Sequence, residues 1–259
     1  MSHKFYIGLD SEKKAVETTD HVLLLGGIGT SKTYAMQHNL IENDNVNVLV
    51  VDVLGELYIN TAKLKQAQGY EVVNVNLLES IELNQIKRVN GQEKIAIYLT
   101  AHTKEKGMED KQKDAEKMAI NLDHVLQVLM AEQRQPLRIF IDHSSPLLYI
   151  PTLPQFLSIA AKFQCQVIMS LLSTHDLLHY QLNERVHLQS QIHTVVLMGS
   201  VDVQSVDMIG LVRGQNIDVR DLSDWKLPGS HSQAIVCQRE PQKAFTAQCV
   251  TKEYGVLSA

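Results

Sequence analysis

Short apolar runs separated by longer amphipathic stretches dominate this chain. The runs are rich in branched apolar residues and predict β-strands at 22–25, 46–51, 71–75, 137–141, 167–171, 194–198 and 234–237. Several are apolar at consecutive positions, as a strand buried on both faces requires. The stretches between them predict helices at 32–42, 61–68, 110–131, 153–163, 174–191 and 203–211. Strands that alternate with helices indicate an α/β fold with a mostly parallel sheet sandwiched by helices.

The C-terminal part departs from this alternation. Residues 232–237 and 243–249 flank the turn Arg239-Glu240-Pro241-Gln242, which predicts an antiparallel hairpin closing one edge of the sheet. The charge-rich stretch 103–113 predicts an exposed loop or the start of a helix. The 259 residues contain no repeat and no clear boundary, so we expect a single domain over 1–259.

A glycine-rich loop lies between the first apolar run and the first predicted helix, in HVLLLGGIGTSKTYAMQHNL. It matches the phosphate-binding pattern G-x-x-x-x-G-K-[ST] with Gly26, Lys32 and Thr33 in the first and last two positions. Glycines let the backbone amides point at phosphate oxygens, and the following helix directs its N-terminal dipole there. A glycine-rich turn with an incidental lysine is the simpler alternative, but strand, loop and helix in this order favour a P-loop NTPase fold.

The predicted nucleotide-binding residues are Gly26, Gly27, Ile28, Gly29, Thr30, Ser31, Lys32 and Thr33. The lysine would neutralise charge on the outer phosphates of ATP or ADP, and the Thr33 hydroxyl would ligate Mg²⁺. Ser31 stands where the motif has its second glycine. If that position needs a positive φ, serine costs about 1 kcal/mol or more there.

Acidic residues end two of the predicted strands. P-loop enzymes hold the metal with such an aspartate, and Asp142 is the candidate Mg²⁺ ligand together with Thr33. The next residue is His143, where these enzymes usually carry a glutamate that polarises the attacking water. His143 could accept a proton from water, but we favour the alternative that it replaced a glutamate no longer needed. Asp52 could face the same cleft or could serve a turn.

Composition and charge narrow the cellular context. The net charge of -5 does not favour extensive binding of DNA, although it does not exclude a local basic patch. Three cysteines without a C-x-x-C pair are typical of a reducing compartment. The sequence has no signal peptide and no apolar run of roughly 18 residues, so we expect a cytoplasmic protein without membrane insertion.

Taken in order, five segments resemble the type IV coupling proteins, the TraG/TraD-like, RecA-like ATPases that deliver DNA in conjugation and type IV secretion. The segments are HVLLLGGIGTSKT (21–33), the stretch from NVLVVD to LLES (47–80), the stretch from LRIFID to IMSLL (137–172), TVVLMGSVDVQSVDMIG (194–210) and DWKLPGSHSQAIVCQREPQ (224–242). The order holds over about 20–249. The resemblance implies a RecA-like P-loop fold that binds nucleotide.

The chain departs from this family at positions that the resemblance links to catalysis. Ser31 replaces the family's P-loop glycine, and His143 replaces the glutamate of its acidic strand. Val53 and Leu54 replace the proline and lysine that follow the aspartate at position 52. Ala161 and Phe163 replace the family's arginines, and its glutamine is missing near Leu172 and Ser173. Family members also carry transmembrane helices and an inserted all-α domain, which we expect to be absent here. Only 86–135 fills the position of that insertion.

The resemblance therefore implies a nucleotide-binding, coupling-protein-like domain with weak or no hydrolysis, a degenerate ATPase that acts in DNA transfer or secretion through protein partners. Two alternatives stay open: an active motor ATPase stimulated by DNA, and a pseudo-NTPase interaction domain that binds no nucleotide. RecA-like ATPases commonly form hexamers. The loss of the arginines removes one reason for such a ring, so the sequence leaves the oligomeric state open.

Overall fold

The computed structural model describes residues 4–42, 45–91, 94–101, 108–132, 135–142, 149–198, 233–238 and 243–249. Its strands are β1 (Phe5–Leu9), β2 (Ala15–Thr18), β3 (Val22–Leu25), β4 (Asn47–Asp52), β5 (Glu71–Asn76), β6 (Ile95–Thr100), β7 (Leu137–Asp142), β8 (Cys165–Leu171), β9 (Thr194–Met198), β10 (Gln233–Gln238) and β11 (Lys243–Cys249). Its helices are α1 (Lys32–Glu42), α2 (Glu56–Ala67), α3 (Leu83–Lys87), α4 (Met108–Glu132), α5 (Leu153–Ala160) and α6 (Leu182–Gln191).

The described strands form one 11-stranded sheet in the order β2-β1-β11-β10-β9-β3-β8-β7-β4-β6-β5. From β9 to β5 all neighbours run parallel. The carboxyl ends of these strands therefore lie along one edge of the sheet, which is where ligands bind in open α/β folds. The predicted α/β fold with a mostly parallel sheet between helices is confirmed.

The remaining strands pair antiparallel. β10 and β11 form the predicted hairpin, and β10 joins it to β9. The prediction that this hairpin closes the edge of the sheet is wrong, because β1 pairs with β11 and β2 lies outside β1. The N-terminal strands escaped prediction because they are short and carry polar residues, which weakens their alternation signal.

Helices cover both faces of the sheet, each over its own apolar core. One core packs α1 and α2 against alternate residues of the central strands, and Met36, Leu40 and Leu57 are fully buried in it. The other packs α4, α5 and α6, with Leu122 and Phe156 at its centre. Residues of one strand alternate between the two cores, so a strand here must be apolar at nearly every position.

Two further predictions need correction, and three others lie at least partly outside the described residues. The sheet includes β6, in a span that was expected only to fill the position of an inserted domain. The predicted helix 174–191 is a 3-10 segment, Thr174–His179, followed by α6. The predicted helix 203–211, His143 and residues 103–107 of the charge-rich stretch lie outside the described part of the chain. Among the described helices, none combines the length and apolarity needed to cross a bilayer.

Candidate nucleotide-binding site

The P-loop segment connects β3 to α1 at the carboxyl edge of the sheet, as the sequence predicts. Gly26 leaves β3 between two neighbouring strands, and its amide donates a hydrogen bond of 3.2 Å to the Leu171 carbonyl of β8. A Cβ at this position would lie 1.8 Å from the Met198 carbonyl oxygen of β9. Glycine is required here because the backbone of the neighbouring strand leaves no space for a side chain.

Two residues of the loop take left-handed backbone conformations. Gly29 has φ 77° and Ser31 has φ 67°. Ser31 therefore adopts the conformation that glycine adopts without cost, as the sequence analysis anticipated for a position with positive φ. The strain persists because α1 begins directly after Ser31, whose carbonyl accepts the Ala35 amide at 3.0 Å.

Lys32 is buried, 7% exposed, and lies inside the loop that precedes it. Its ammonium donates hydrogen bonds to the carbonyls of Gly26 (2.5 Å) and Gly27 (2.7 Å), and to the Thr30 hydroxyl at 3.3 Å. Burial lowers the pKa of Lys32, while the nearby carboxylate of Asp142 raises it in part. The loop thus holds a cation at the N-terminus of α1, where an anion is also favoured by the helix dipole.

The hydroxyl of Thr33 donates to Asp142 Oδ2 at 2.8 Å, although the two residues are 109 positions apart in sequence. Asp142 ends β7, and its other oxygen accepts a 2.6 Å hydrogen bond from the Ser170 hydroxyl of β8. The hydroxyl and carboxylate oxygens so assembled are the hard donors that Mg²⁺ prefers. The donor set fits Mg²⁺, and Thr33 and Asp142 would hold it.

Asp52 ends β4 directly beside Asp142, its cross-strand neighbour in the sheet register. It is 1% exposed, and its carboxylate accepts the Tyr58 amide of α2 at 2.8 Å. Burial raises the pKa of Asp52 to about 6, with the charge of Asp142 adding to the effect. Asp52 therefore lies at the same edge as the P-loop and also fixes the start of α2.

A cavity of about 650 Å³ opens above these groups. The P-loop and α1 form part of its lining, and the turn after β4 together with α2 forms another part. Leu54 and Leu172, two positions at which the chain departs from the resembled family, also line the cavity. The lining residues that the sequence did not point to are Tyr34, Gln37, Glu56, Asn60 and Ser170. The signal for Ser170 was a lone hydroxyl in an apolar strand, but its contact with Asp142 depends on the long-range register of β7 and β8.

The positions of the family's arginines lie elsewhere in this chain. Ala161 and Phe163 belong to a 3-10 segment before the start of β8, whereas Leu171 at the end of that strand contacts the P-loop. The segment is therefore at the opposite edge of the sheet from Lys32. Ala161 and Phe163 are not among the residues that line the cavity above the P-loop.

Comparison with models of known families gives a match over the N-terminal half of the chain. The model of the family "Type IV secretory system Conjugative DNA transfer" matches residues 4–133 of the 259. This match includes the P-loop and Asp52. No curated protein sequence is similar enough to count as a match.

Solved structures share the fold at low sequence identity. VirB4 of Thermoanaerobacter pseudethanolicus matches with a TM-score of 0.66 and 9% identity, over 96% of this chain and 97% of that one. The bacterial conjugative coupling protein TrwB, lacking its first 70 residues, matches with 0.64 and 11%, over 96% and 89%. TrwB in complex with ADP and Mg²⁺ matches with 0.62 and 13%, over 90% and 86%. At such identities the likeness shows the fold alone.

Proposed function

Because the chain belongs to the type IV secretory system conjugative DNA transfer family, we propose that its P-loop binds ATP or ADP with Mg²⁺ and that hydrolysis is slow. The hydrogen bond from Thr33 to Asp142 carries this proposal. It joins the hydroxyl at the start of α1 to the carboxylate at the end of β7, the pair of ligands that a nucleotide-bound Mg²⁺ needs in P-loop proteins.

The phosphates would be held by the loop amides of 27–32 and by Lys32. All three donors of the Lys32 ammonium already contact oxygens of the loop. An incoming phosphate would exchange at least one of these contacts for a stronger bond to an anionic oxygen, because charge-assisted hydrogen bonds exceed neutral ones. The bound Mg²⁺ would supply neutralisation of phosphate charge, and the protein would position it through Thr33 and Asp142.

We propose that the domain serves conjugative DNA transfer or type IV secretion as an accessory or assembly component that acts through protein partners. Family membership supports this role. Slow hydrolysis is supported by Ala161 and Phe163, which stand in place of arginines. His143 stands in place of the water-polarising glutamate, so any residual hydrolysis needs another residue to activate the water. Absence of a transition-state arginine alone lowers rates on the order of a thousandfold or more.

Isothermal titration calorimetry with Mg-ATP and Mg-ADP tests the proposal. We expect the wild type to bind both, and Lys32→Ala to weaken binding on the order of 100-fold, since it removes the cation that faces the outer phosphates. Lys63→Ala is the matched control, because Lys63 is exposed on α2 outside the cavity. No binding heat from the wild type at millimolar nucleotide would refute the proposal. Rapid turnover stimulated by single-stranded DNA would instead identify a motor.

A further inference from the structure

Among the described residues, four carboxylates lie near the nucleotide cavity, and three of them are committed to other groups. Asp142 accepts from Thr33 and Ser170. Asp52 is buried and accepts the Tyr58 amide. The third, Asp176, accepts the two backbone amides of 172 and 173 that begin the 3-10 segment after β8. Each of these oxygens stabilises the site itself, which leaves the fourth carboxylate for a bound substrate.

That fourth carboxylate belongs to Glu56, the first residue of α2. Its side chain lines the cavity, and within the described part of the chain it makes no hydrogen bond or ion pair. The backbone sets its place: Gly55 turns with φ 76°, and its amide donates to the Asp52 carbonyl at 3.1 Å. This tight turn brings α2 directly back to the carboxyl end of β4, beside Asp142.

In the order of the strands, the predicted metal ligand Asp142 lies between the P-loop and Glu56. Between β3, which bears the loop, and β4, which leads to Glu56, lie β8 and β7. Three inter-strand spacings correspond to about 14 Å, and Asp142 on β7 lies two-thirds of the way across. In-line displacement at the terminal phosphate needs the attacking water on the side away from the leaving oxygen, which the P-loop holds. The wall that carries Glu56 is on that side.

We propose that Glu56 holds and deprotonates the water that hydrolyses ATP in this chain, in place of the missing glutamate at position 143. Glu56 takes one proton as the water oxygen bonds to the γ-phosphorus and the bond from that phosphorus to the β–γ bridging oxygen breaks. The electron pair of that bond leaves with ADP, and the proton passes to the released phosphate. Asn60, one turn further along α2 in the same wall, is placed to orient the water by a hydrogen bond.

This inference rests on the proposed nucleotide binding, and two measurements separate them. Single-turnover hydrolysis of Mg-ATP reports the chemical step, and calorimetry reports the affinities for ATP and ADP. In Glu56→Gln we expect hydrolysis to fall at least about 100-fold, the usual effect of a general base. We also expect ATP to bind roughly 2–10-fold more tightly relative to ADP, because in the proposed arrangement the change removes a negative charge beside the third phosphate, which ADP lacks.

Three further variants make the result specific. Glu56→Asp withdraws the carboxylate but keeps its charge, so hydrolysis should fall while the ratio of ATP to ADP affinity stays near the wild type. Glu116→Gln, an exposed site on α4 away from the cavity, should change neither quantity. His143→Gln should leave hydrolysis within about threefold of the wild type, since a base contributes far more than that.

Hydrolysis that survives in Glu56→Gln, or an unchanged ratio of affinities, would overturn the role of Glu56 and leave nucleotide binding intact. Loss of hydrolysis in His143→Gln would do the same, as would a wild type that binds ATP and never hydrolyses it. A wild type that binds no nucleotide would overturn the inference together with the proposed function. Far-UV circular dichroism and thermal unfolding of each variant check that the substitutions leave the fold unchanged.

Discussion

Replacing Ser31 by glycine should stabilise the protein, although it removes a half-buried side chain. Ser31 has φ 67°, and a residue with a Cβ pays about 1–2 kcal/mol for that conformation. Glycine avoids this cost but gains freedom in the unfolded chain, which offsets about 0.4–1 kcal/mol. The expected net gain is about 0.5–1 kcal/mol in the free energy of unfolding, or roughly 1–3 °C in Tm for a chain of this size.

The same loop also allows the reverse substitution, from glycine to serine, at a second position with positive φ. Gly29 has φ 77°, and a Cβ there would meet no atom within 4 Å. Gly29→Ser therefore tests backbone strain without steric overlap, and we expect it to lower the free energy of unfolding by a similar amount of about 1 kcal/mol. Urea unfolding followed by circular dichroism, without nucleotide and with EDTA, measures both variants. If Ser31→Gly is no more stable than the wild type while Gly29→Ser costs nothing, positive φ is not the source of strain.

Two other substitutions test the site through stability. Gly26→Ala should cost about 2–3 kcal/mol or more, because its methyl group would overlap the Met198 carbonyl; an unfolding curve like that of the wild type would contradict the close approach. The raised pKa of Asp52, about 6, means that the folded state binds its proton more tightly than the unfolded state, so stability falls as pH rises from about 4 to 6. Asp52→Asn, which keeps an acceptor for the Tyr58 amide, should therefore raise the free energy of unfolding by roughly 1–2 kcal/mol at pH 7.5 and give no gain near pH 4. Urea titrations across this pH range measure the difference, and an equal effect at both pH values would contradict it.

Local chemistry made the P-loop predictable. The strand before it, the loop and α1 have the predicted bounds, because an apolar run, glycines and a lysine–threonine pair each fix their own conformation over a few residues. The sequence assigned Thr33 and Asp142 to one predicted Mg²⁺ site, and the structure places their side chains in hydrogen-bond contact. These features depend on residue type at a given place in a motif.

The pairing of strands across the sheet was harder to predict from the sequence. The run that forms β6 is as apolar as the others, yet a short apolar run does not by itself distinguish a buried strand from a helix. The serine at position 170 and the glutamate at position 56 gain their significance from the register of β8 with β7 and from the order of the strands. No local property of the sequence determines which strands become neighbours.

The strand order also dictates when the site can form during synthesis. The P-loop is near the N-terminus, but its strand has β8 and β9 as neighbours, and neither β4 nor any other early strand pairs with it within the described sheet. A ribosome must release at least residues 165–171 before β3 gains its first partner. β3 therefore stays unpaired while the early βα units are synthesised, as is typical of folds dominated by contacts between residues distant in sequence. A nascent chain arrested before that point should have no phosphate site, whatever the quality of its glycine-rich loop.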